Sequence, residues 1–285
     1  MVCTKNFSWA YGVDFSGARL AGRTAWLAEV ALDDRTGHRR LASLASLEAR
    51  AGDATREVAL AWLVDEIRRS RGALWGIDAP FALPVELVGP CDAWTSQLDA
   101  FAAWRDGAIA LGRHLASRAL AEHGSMHVRR ETDRATRTPF DSYHYRIIHQ
   151  TFHVMRDVLL PLSRAPRTAV LPFQYRRLSR AERVVVETCP SSTLLRLGLP
   201  RRGYKQPAGG AITAERAHVR RVILRGLREH VHVDARQART MLGDPGGDAL
   251  DAVLAAVGAH QAYATCDHRA VSTDGRAVRE GWVYA

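Results

Sequence analysis

The chain has 285 residues, of which 47% are hydrophobic and 25% charged, and this composition is ordinary for a soluble globular protein. No apolar run reaches the length of a membrane span, and the first residues lack the hydrophobic core of a signal peptide. The four scattered cysteines form no C-x-x-C pair, which argues against a zinc knuckle or a disulfide framework and predicts a cytoplasmic location. The formal net charge of +10, carried almost entirely by arginine, suits a partner that presents phosphates, such as nucleic acid.

The first segment predicts a strand that ends at a carboxylate. Residues 9–13 are mostly apolar and stop at Asp14, residues 16–18 are small, and a second apolar run covers residues 24–31. This pattern predicts a strand, a tight turn and a second strand. A charge at the end of a buried strand is costly unless it is paired, either with a cation or with the amides of the turn. Both explanations stay open for Asp14 alone.

The next segments complete an α/β pattern. Residues 39–45 predict a third strand, and the apolar stripe of residues 53–67 predicts a helix with Asp53 as its N-cap. Residues 73–78 predict a fourth strand, which again ends in an acid, Asp78. Three strands, a helix and a further strand indicate an α/β domain with a mixed sheet.

A mostly helical block follows between residues 85 and 179. Residues 94–120 and 145–162 predict helices, and a basic, turn-rich stretch covers residues 127–139. No glycine- or serine-rich linker separates this block from its neighbours. We therefore interpret residues 85–179 as an insertion within a single domain that spans residues 1–285.

The strand pattern then returns and ends in a third acid. Residues 183–187 form the most strand-like run of the chain and stop at Glu187. Asp248 and Asp251 follow a glycine turn and lie three residues apart at the start of a predicted helix, so they share one face. The predicted helices and the small final strand of this part lie at residues 191–197, 211–230, 243–260 and 282–284.

Together these acids predict a cation site. If the three acid-ended strands are parallel, their C-terminal ends meet at one edge of the sheet, where such folds place ligands. Converging carboxylates repel one another unless cations lie between them, and oxygen ligands suit Mg²⁺ or Mn²⁺. Two such ions can activate a water and stabilise the leaving oxygen in phosphodiester cleavage. Each acid alone has a capping explanation, but the repetition favours a site. The candidate catalytic residues are Asp14, Asp78, Glu187, Asp248 and Asp251.

Four sequence blocks also carry a family resemblance. They are GVDFSG at residues 12–17, GIDAPFALP at residues 76–84, VETCPSSTLLRLG at residues 186–198 with GYK at 203–205, and DALDAVLAA at residues 248–256. In this order they resemble the signature blocks of domain-of-unknown-function family 429, regarded as predicted nucleases of the ribonuclease H-like superfamily. The first block and the last are also similar to those of Holliday-junction resolvases.

The resemblance implies a fold, a metal site and an activity. The implied fold is a ribonuclease H-like mixed five-stranded sheet flanked by helices, with the insertion of residues 85–179 between the fourth and fifth strands. The implied activity is that of a metal-dependent nuclease, with Mg²⁺ or Mn²⁺ as cofactor, and the likeness to resolvases makes a homodimer one expectation. Glu187 belongs to the family's own pattern, as a metal ligand or as an acid behind the ligands. The implied metal ligands are Asp14, Asp78, Asp248 and Asp251.

Basic and hydroxyl-bearing residues supply candidates for substrate binding. Arg130, Thr132 and Arg134 belong to a basic stretch suited to gripping phosphates, and Thr132 with Asp133 also fits the family pattern. Lys205, one of only two lysines, follows a glycine in a predicted loop and could place a point charge near a scissile phosphate. A solvated basic surface explains the arginines equally well, and both interpretations stay open.

Two other classes of protein fit part of the sequence. Proteins of the sugar kinase and actin type, which transfer phosphoryl groups or hydrolyse ATP, also have a first strand that ends in an acid followed by small residues. The size of the chain and the lack of a second glycine-rich phosphate loop weigh against that class. A non-catalytic nucleic-acid-binding protein would explain the positive charge but not the five acids. The sequence does not choose between DNA and RNA.

Overall fold

A mixed six-stranded sheet forms the centre of the fold in this computed structural model, which describes residues 5–33, 37–89, 93–206 and 210–285. The strand order is β3-β2-β1-β4-β6-β5. β1, β2 and β3 are antiparallel neighbours, whereas β4, β6 and β5 continue the sheet parallel to β1. The strands are β1 Trp9–Asp14, β2 Trp26–Leu32, β3 Arg39–Ser46, β4 Ala73–Asp78, β5 Thr168–Val170 and β6 Arg183–Glu187.

Helices cover both faces of this sheet, so the prediction of an α/β fold with a mixed sheet is confirmed. A π-helical segment, Val154–Leu159, joins α7 to α8, and short 3-10 helices lie at Val85–Leu87 and Tyr175–Arg180. The α-helices are α1 Ala21–Thr24, α2 Leu47–Ala51, α3 Arg56–Arg69, α4 Trp94–Ala103, α5 Gly107–His123, α6 Glu131–Thr136, α7 Ile148–His153, α8 Leu160–Ser163, α9 Pro190–Arg196, α10 Ala214–Arg228, α11 Ala235–Gly243, α12 Asp248–Thr265, α13 His268–Thr273 and α14 Ala277–Glu280.

The predicted number of strands is wrong, because the sheet has six and not five. The additional strand, β5, lies within the range interpreted as a helical insertion and pairs in parallel with β6 at the edge of the sheet. All three of its residues are buried, so it shows neither the length nor the alternation by which a strand is recognised. The strand that ends at Glu187 is therefore the sixth in chain order.

Three local predictions also need correction. The connection between β1 and β2 is not a tight turn, because it contains the short helix α1. The N-cap position of α3 is held by Thr55, whose amide donates to the Asp53 carboxylate at 2.6 Å, so the predicted cap is displaced by two residues. The predicted final strand is a single bridge between Val283 and Glu187.

Close packing of α12 against the sheet positions the start of this helix. A Cβ atom added to Gly12 would lie 2.0 Å from the backbone oxygen of Ala252, and one added to Gly76 would lie 2.5 Å from the Cβ of Ala259. No side chain fits at either glycine, so the helix lies directly on the backbones of β1 and β4. The opposite face of the sheet carries larger side chains, including Trp75, and packs against α3 and helices of the insertion.

The register of the parallel strands decides which acids share a face. Asp14 lies directly opposite Asp78, whereas Glu187 lies opposite Ile77. Because successive side chains of a strand point to opposite faces, Asp14 and Asp78 are on the α12 face together with Gly12. By the same alternation Glu187 belongs to the other face. The three strand-end acids thus share one edge of the sheet, as predicted, but Glu187 leaves its strand on the face opposite to the two aspartates.

Two further predictions concern the cysteines and the membrane. Cys189 and Cys266 are free thiols, whereas Cys3 and Cys91 lie outside the described residues. Within the described parts of the chain, none of the helices combines the length and the apolar character needed to cross a membrane.

Candidate functional site

A cavity of about 730 Å³ opens at the C-terminal ends of β1, β4 and β6. Its lining includes five aspartates. Four come from the ends of two neighbouring strands and from the first turn of α12, and the fifth, Asp133, is paired with Arg130. The wall is completed by part of the insertion and by residues 201–205, a loop that lies against the start of α12. The structure therefore brings together Asp14, Asp78, Asp248 and Asp251.

The two strand-end aspartates carry strongly perturbed carboxyl groups. Asp14 is 7% exposed, and burial raises its pKa well above the usual range; Lys205 opposes the shift, and the other three aspartates reinforce it. Burial, followed by the charge of Asp251, raises the pKa of Asp78 to about 8. Carboxyl groups that disfavour each other's ionisation are close in space. At neutral pH this cluster therefore holds protons that isolated aspartates would have lost.

The helix pair differs in its surroundings. Asp251 is 2% exposed, and the hydroxyl of Tyr204 donates to its two carboxylate oxygens at 2.9 and 3.2 Å. Burial raises the pKa of Asp248 to about 6. Asp248 is not the N-cap of α12, because Gly247 holds that position and the amide of Ala249 donates to Asp244. Asp248 does lie in the first turn, where the helix dipole favours a negative charge.

A lysine supplies the positive charge within this cluster. Lys205 Nζ lies 2.5 Å from Asp251 Oδ2, while 44% of its side chain remains exposed. In residues 5–33, 37–89, 93–206 and 210–285, no group of three or more His, Cys, Asp or Glu side chains has the arrangement of a metal site. The chemistry of the donors nevertheless fits a hard divalent cation, since the four aspartates offer oxygen ligands only.

Glu187 lines the same cavity, but its carboxylate is bound from the other side of the sheet. Arg130 donates to both of its oxygens, at 2.8 and 2.5 Å, and the amide of Phe81 donates to Oε2 at 2.9 Å. Burial raises the pKa of Glu187, and Arg130 opposes that shift. The structure thus pairs Glu187 with an arginine, while its charge still contributes to the raised pKa of Asp78.

The predicted phosphate-binding residues of the insertion divide into buried and exposed ones. Arg130 is 1% exposed and also binds both carboxylate oxygens of Asp133, with its Nε and Nη2 at 3.0 and 2.8 Å. The hydroxyl of Thr132 accepts the amide of Val283 at 2.8 Å. These three side chains hold the insertion against the rest of the protein. Arg134, in contrast, is exposed.

Several residues of the cavity were not predicted from sequence. Tyr204 stands next to Lys205, yet nothing in the sequence indicates its hydrogen bond to Asp251. Arg201 and Arg202 precede Gly203, and this basic run beside Lys205 was the available signal. Arg146 and Arg202 of the lining are exposed, whereas Asp14 and Asp251 are buried, so the outer part of the cavity is basic and its inner part is acidic. The arginines of this outer part are Arg146, Arg201, Arg202 and Arg216.

These features define an α/β protein with a cluster of four aspartates at the C-terminal edge of a mixed sheet. The chain belongs to the family described as protein of unknown function (DUF429), whose model matches residues 12–274. The matched range includes all four aspartates and Lys205. Comparison with curated proteins and with solved structures gave no match.

We expect Asp78→Asn to stabilise the folded protein increasingly as the pH rises from about 4 to about 8. The folded state raises the pKa of Asp78 from 3.8 to about 8, so within this window it binds a proton that the unfolded chain releases. The free energy of unfolding of the wild type therefore falls as pH rises, and asparagine removes this contribution. Urea denaturation without divalent metal, at both ends of this pH window, measures the difference in the free energy of unfolding between the variant and the wild type.

The exposed Asp99→Asn serves as the matched control, because Asp99 lies on the surface of α4. Its effect on the free energy of unfolding should be small across the whole range. If Asp78→Asn changes the free energy of unfolding equally at about pH 4 and about pH 8, the pKa of Asp78 is not raised in the folded protein.

Proposed function

We propose that this protein is a metal-dependent nuclease that hydrolyses phosphodiester bonds of nucleic acid at the four-aspartate cluster. The observation that carries this proposal is the register of β1 and β4, which places Asp14 beside Asp78 under the start of α12. Carboxylates that are buried and mutually repelling destabilise a fold, and such perturbed groups cluster at functional sites. A divalent cation bound between the carboxylates would offset this repulsion and would explain why the four aspartates lie together.

The strand order supports a ribonuclease H-like assignment of the fold. Antiparallel β1, β2 and β3 lie on one side, and β4 and β6 continue in parallel on the other. The acids occupy the first strand, the fourth strand and a late helix, α12, which are the positions implied by the resemblance to the resolvases. On this proposal β5 is an additional edge strand contributed by the insertion.

The candidate metal ligands are Asp14, Asp78, Asp248 and Asp251, and the candidate ion is Mg²⁺ or Mn²⁺. When bound, such an ion supplies Lewis acidity and makes a coordinated water more acidic. Tyr204 holds Asp251 in place by donating to both of its oxygens. Burial of Asp14 and Asp251 keeps bulk water from screening charges in this part of the cavity.

The basic residues of the cavity supply phosphate binding. Lys205 has a flexible, exposed stem, so its ammonium can exchange the Asp251 carboxylate for a substrate phosphate. The arginines nearer the solvent can bind flanking phosphates through two parallel hydrogen bonds each. On this proposal Arg130 stays in its internal ion pair and positions the insertion beside the site.

The decisive experiment is a substrate panel of single-stranded and double-stranded DNA and RNA, hybrids and branched junctions. We expect cleavage of at least one substrate with Mg²⁺ or Mn²⁺ and none with a chelator. ATP hydrolysis with every nucleic acid left intact would replace the proposal by a function of the sugar kinase and actin type. Salt-sensitive binding without cleavage in either metal would indicate a non-catalytic nucleic-acid-binding protein. Cleavage of junctions would also call for a dimer, which light scattering detects.

A further inference from the structure

A group of aromatic and cationic side chains, two of them exposed and two half-buried, lies at the rim of the cavity. We call Phe140, His144, Tyr145 and Arg146 the rim cluster. The Phe140 and His144 rings stack with centroids 4.5 Å apart, and the Tyr145 ring lies 4.5 Å from that of His144. The Arg146 guanidinium carbon is 5.9 Å from the Phe140 ring and 5.7 Å from the Tyr145 ring. These groups therefore form one connected set of flat surfaces.

Core packing does not explain the exposure of Tyr145 and Arg146, whereas Phe140 and His144 are half-buried beside them. Tyr145 is 68% exposed, the largest value among the big apolar side chains of the described residues. Its hydroxyl accepts a hydrogen bond from Arg146 Nε at 3.1 Å, which holds the two side chains together in contact with solvent. An exposed ring that continues into half-buried aromatic neighbours forms a larger apolar surface than a single exposed residue, and such surfaces more often mark interaction sites.

The backbone beneath the cluster is well anchored. The Tyr143 hydroxyl donates to the backbone oxygen of Met126 at 2.9 Å and accepts the amide of Val128 at 2.7 Å. The Ser142 carbonyl accepts the Thr151 hydroxyl at 2.5 Å. Because the flanking residues are buried and bonded, the rings of the rim cluster are presented from a fixed segment. A ligand that stacks on them meets a surface that is already organised.

The position of the cluster connects it to the acidic site. Phe140 and Arg146 line the same cavity as Asp14 and Asp78. The remaining wall of this outer region is basic, through Arg201 and other arginines. A ligand that reaches the aspartates from the rim cluster therefore passes flat aromatic faces and positive charges together. Nucleic acid presents both counterparts, since it combines bases with phosphates.

We propose that the rim cluster binds an unpaired base of a single-stranded nucleic acid whose backbone enters the cavity. This inference rests on the proposed function and names the substrate class of the same site. Aromatic rings and guanidinium planes stack on any base, but only where its face is free. The bases of a duplex are covered by their neighbours, so the cluster favours single strands or single-stranded regions.

Binding of fluorescently labelled single strands and of the matching blunt duplex, measured by anisotropy in a chelator, tests this inference without catalysis. Tyr145→Leu removes the ring but keeps an apolar side chain, whereas Tyr145→Phe keeps the ring. We expect Tyr145→Leu to weaken single-strand binding by about 5- to 100-fold, and Tyr145→Phe to bind like the wild type. Duplex binding should be unchanged in both variants.

Leu120→Ala is the matched control, because Leu120 is 51% exposed and lies on α5. It should leave binding of both ligands unchanged. Unaltered single-strand binding in Tyr145→Leu, or an equal loss for single strand and duplex, would overturn the stacking role. Ring-dependent binding by a protein that cleaves nothing would support the rim cluster and refute the nuclease. If Tyr145→Leu changes neither the cleavage rate nor the affinity for single strands, the nuclease would be supported and the rim cluster refuted.

Discussion

Replacing Asp14 by asparagine is expected to lower metal-dependent cleavage by at least about 10³-fold, roughly 4 kcal/mol in activation free energy, without unfolding the protein. Asp14 ends the central strand β1, with Asp78 on one side and α12 above it. An amide keeps the shape of the side chain but lacks the negative charge that a divalent ligand requires. The measurement is the initial rate on the best substrate of the panel, at saturating metal.

A binding measurement separates loss of metal from loss of structure. Calorimetric titration of Mg²⁺ or Mn²⁺ should show weaker binding to Asp14→Asn, while its free energy of unfolding stays equal to or above that of the wild type. The stability should not fall, because the substitution removes one of several repelling carboxylates. Asp99→Asn, on the surface, should change neither quantity. Full activity of Asp14→Asn would contradict the proposed site.

The contact between Lys205 and Asp251 offsets part of the repulsion among the four aspartates. A buried carboxylate without a partner costs several kcal/mol, and Lys205 provides one partner at 2.5 Å. The same four acids then have two ways to reduce their repulsion: they can retain protons, as the raised pKa values of Asp14 and Asp78 indicate, or pair with the lysine. A divalent ion competes with both, so its binding should release protons.

The sequence was sufficient for the elements that carry the aspartates. β1 and β4 are apolar runs that end in an acid, and α12 is a long apolar helix after a glycine turn, so all three have strong local signals. The meeting of Asp14, Asp78 and the helix pair followed from assuming parallel strands, and the structure places them in one cavity. Their use as metal ligands stays a prediction.

The register of the strands and the contacts between residues far apart in the chain could not be predicted from the sequence. The end of β6 was predicted, but the face of Glu187 depends on its alignment with Ile77, and a shift by one residue would have put it on the same face of the sheet as Asp14 and Asp78. Arg130 belongs to a basic stretch, and its sequence neighbours give no sign of a partner 57 residues away. β5 has only three residues and is recognised as a strand only because it pairs with β6.

Arg130→Met is expected to destabilise the protein by about 3–5 kcal/mol, because it leaves two buried carboxylates without their positive partner. Arg130 is 1% exposed and binds the carboxylates of Glu187 and Asp133 as well as the backbone oxygen of Glu280. Urea denaturation measures the change. Arg134 is exposed and lies in α6, which begins directly after Arg130. Arg134→Met is therefore the matched control and should stay within about 0.5 kcal/mol of the wild type.

This comparison also decides between the two roles considered for the basic stretch. If Arg130 grips a phosphate, Arg130→Met should weaken binding of nucleic acid and leave the free energy of unfolding nearly unchanged. If Arg130 holds the insertion to β6, stability should fall first, and Arg130→Lys, which keeps the charge but lacks the planar fork, should be intermediate. The burial of the Arg130–Glu187–Asp133 network favours the second outcome, because an arginine enclosed by two carboxylates has little positive charge to offer a phosphate.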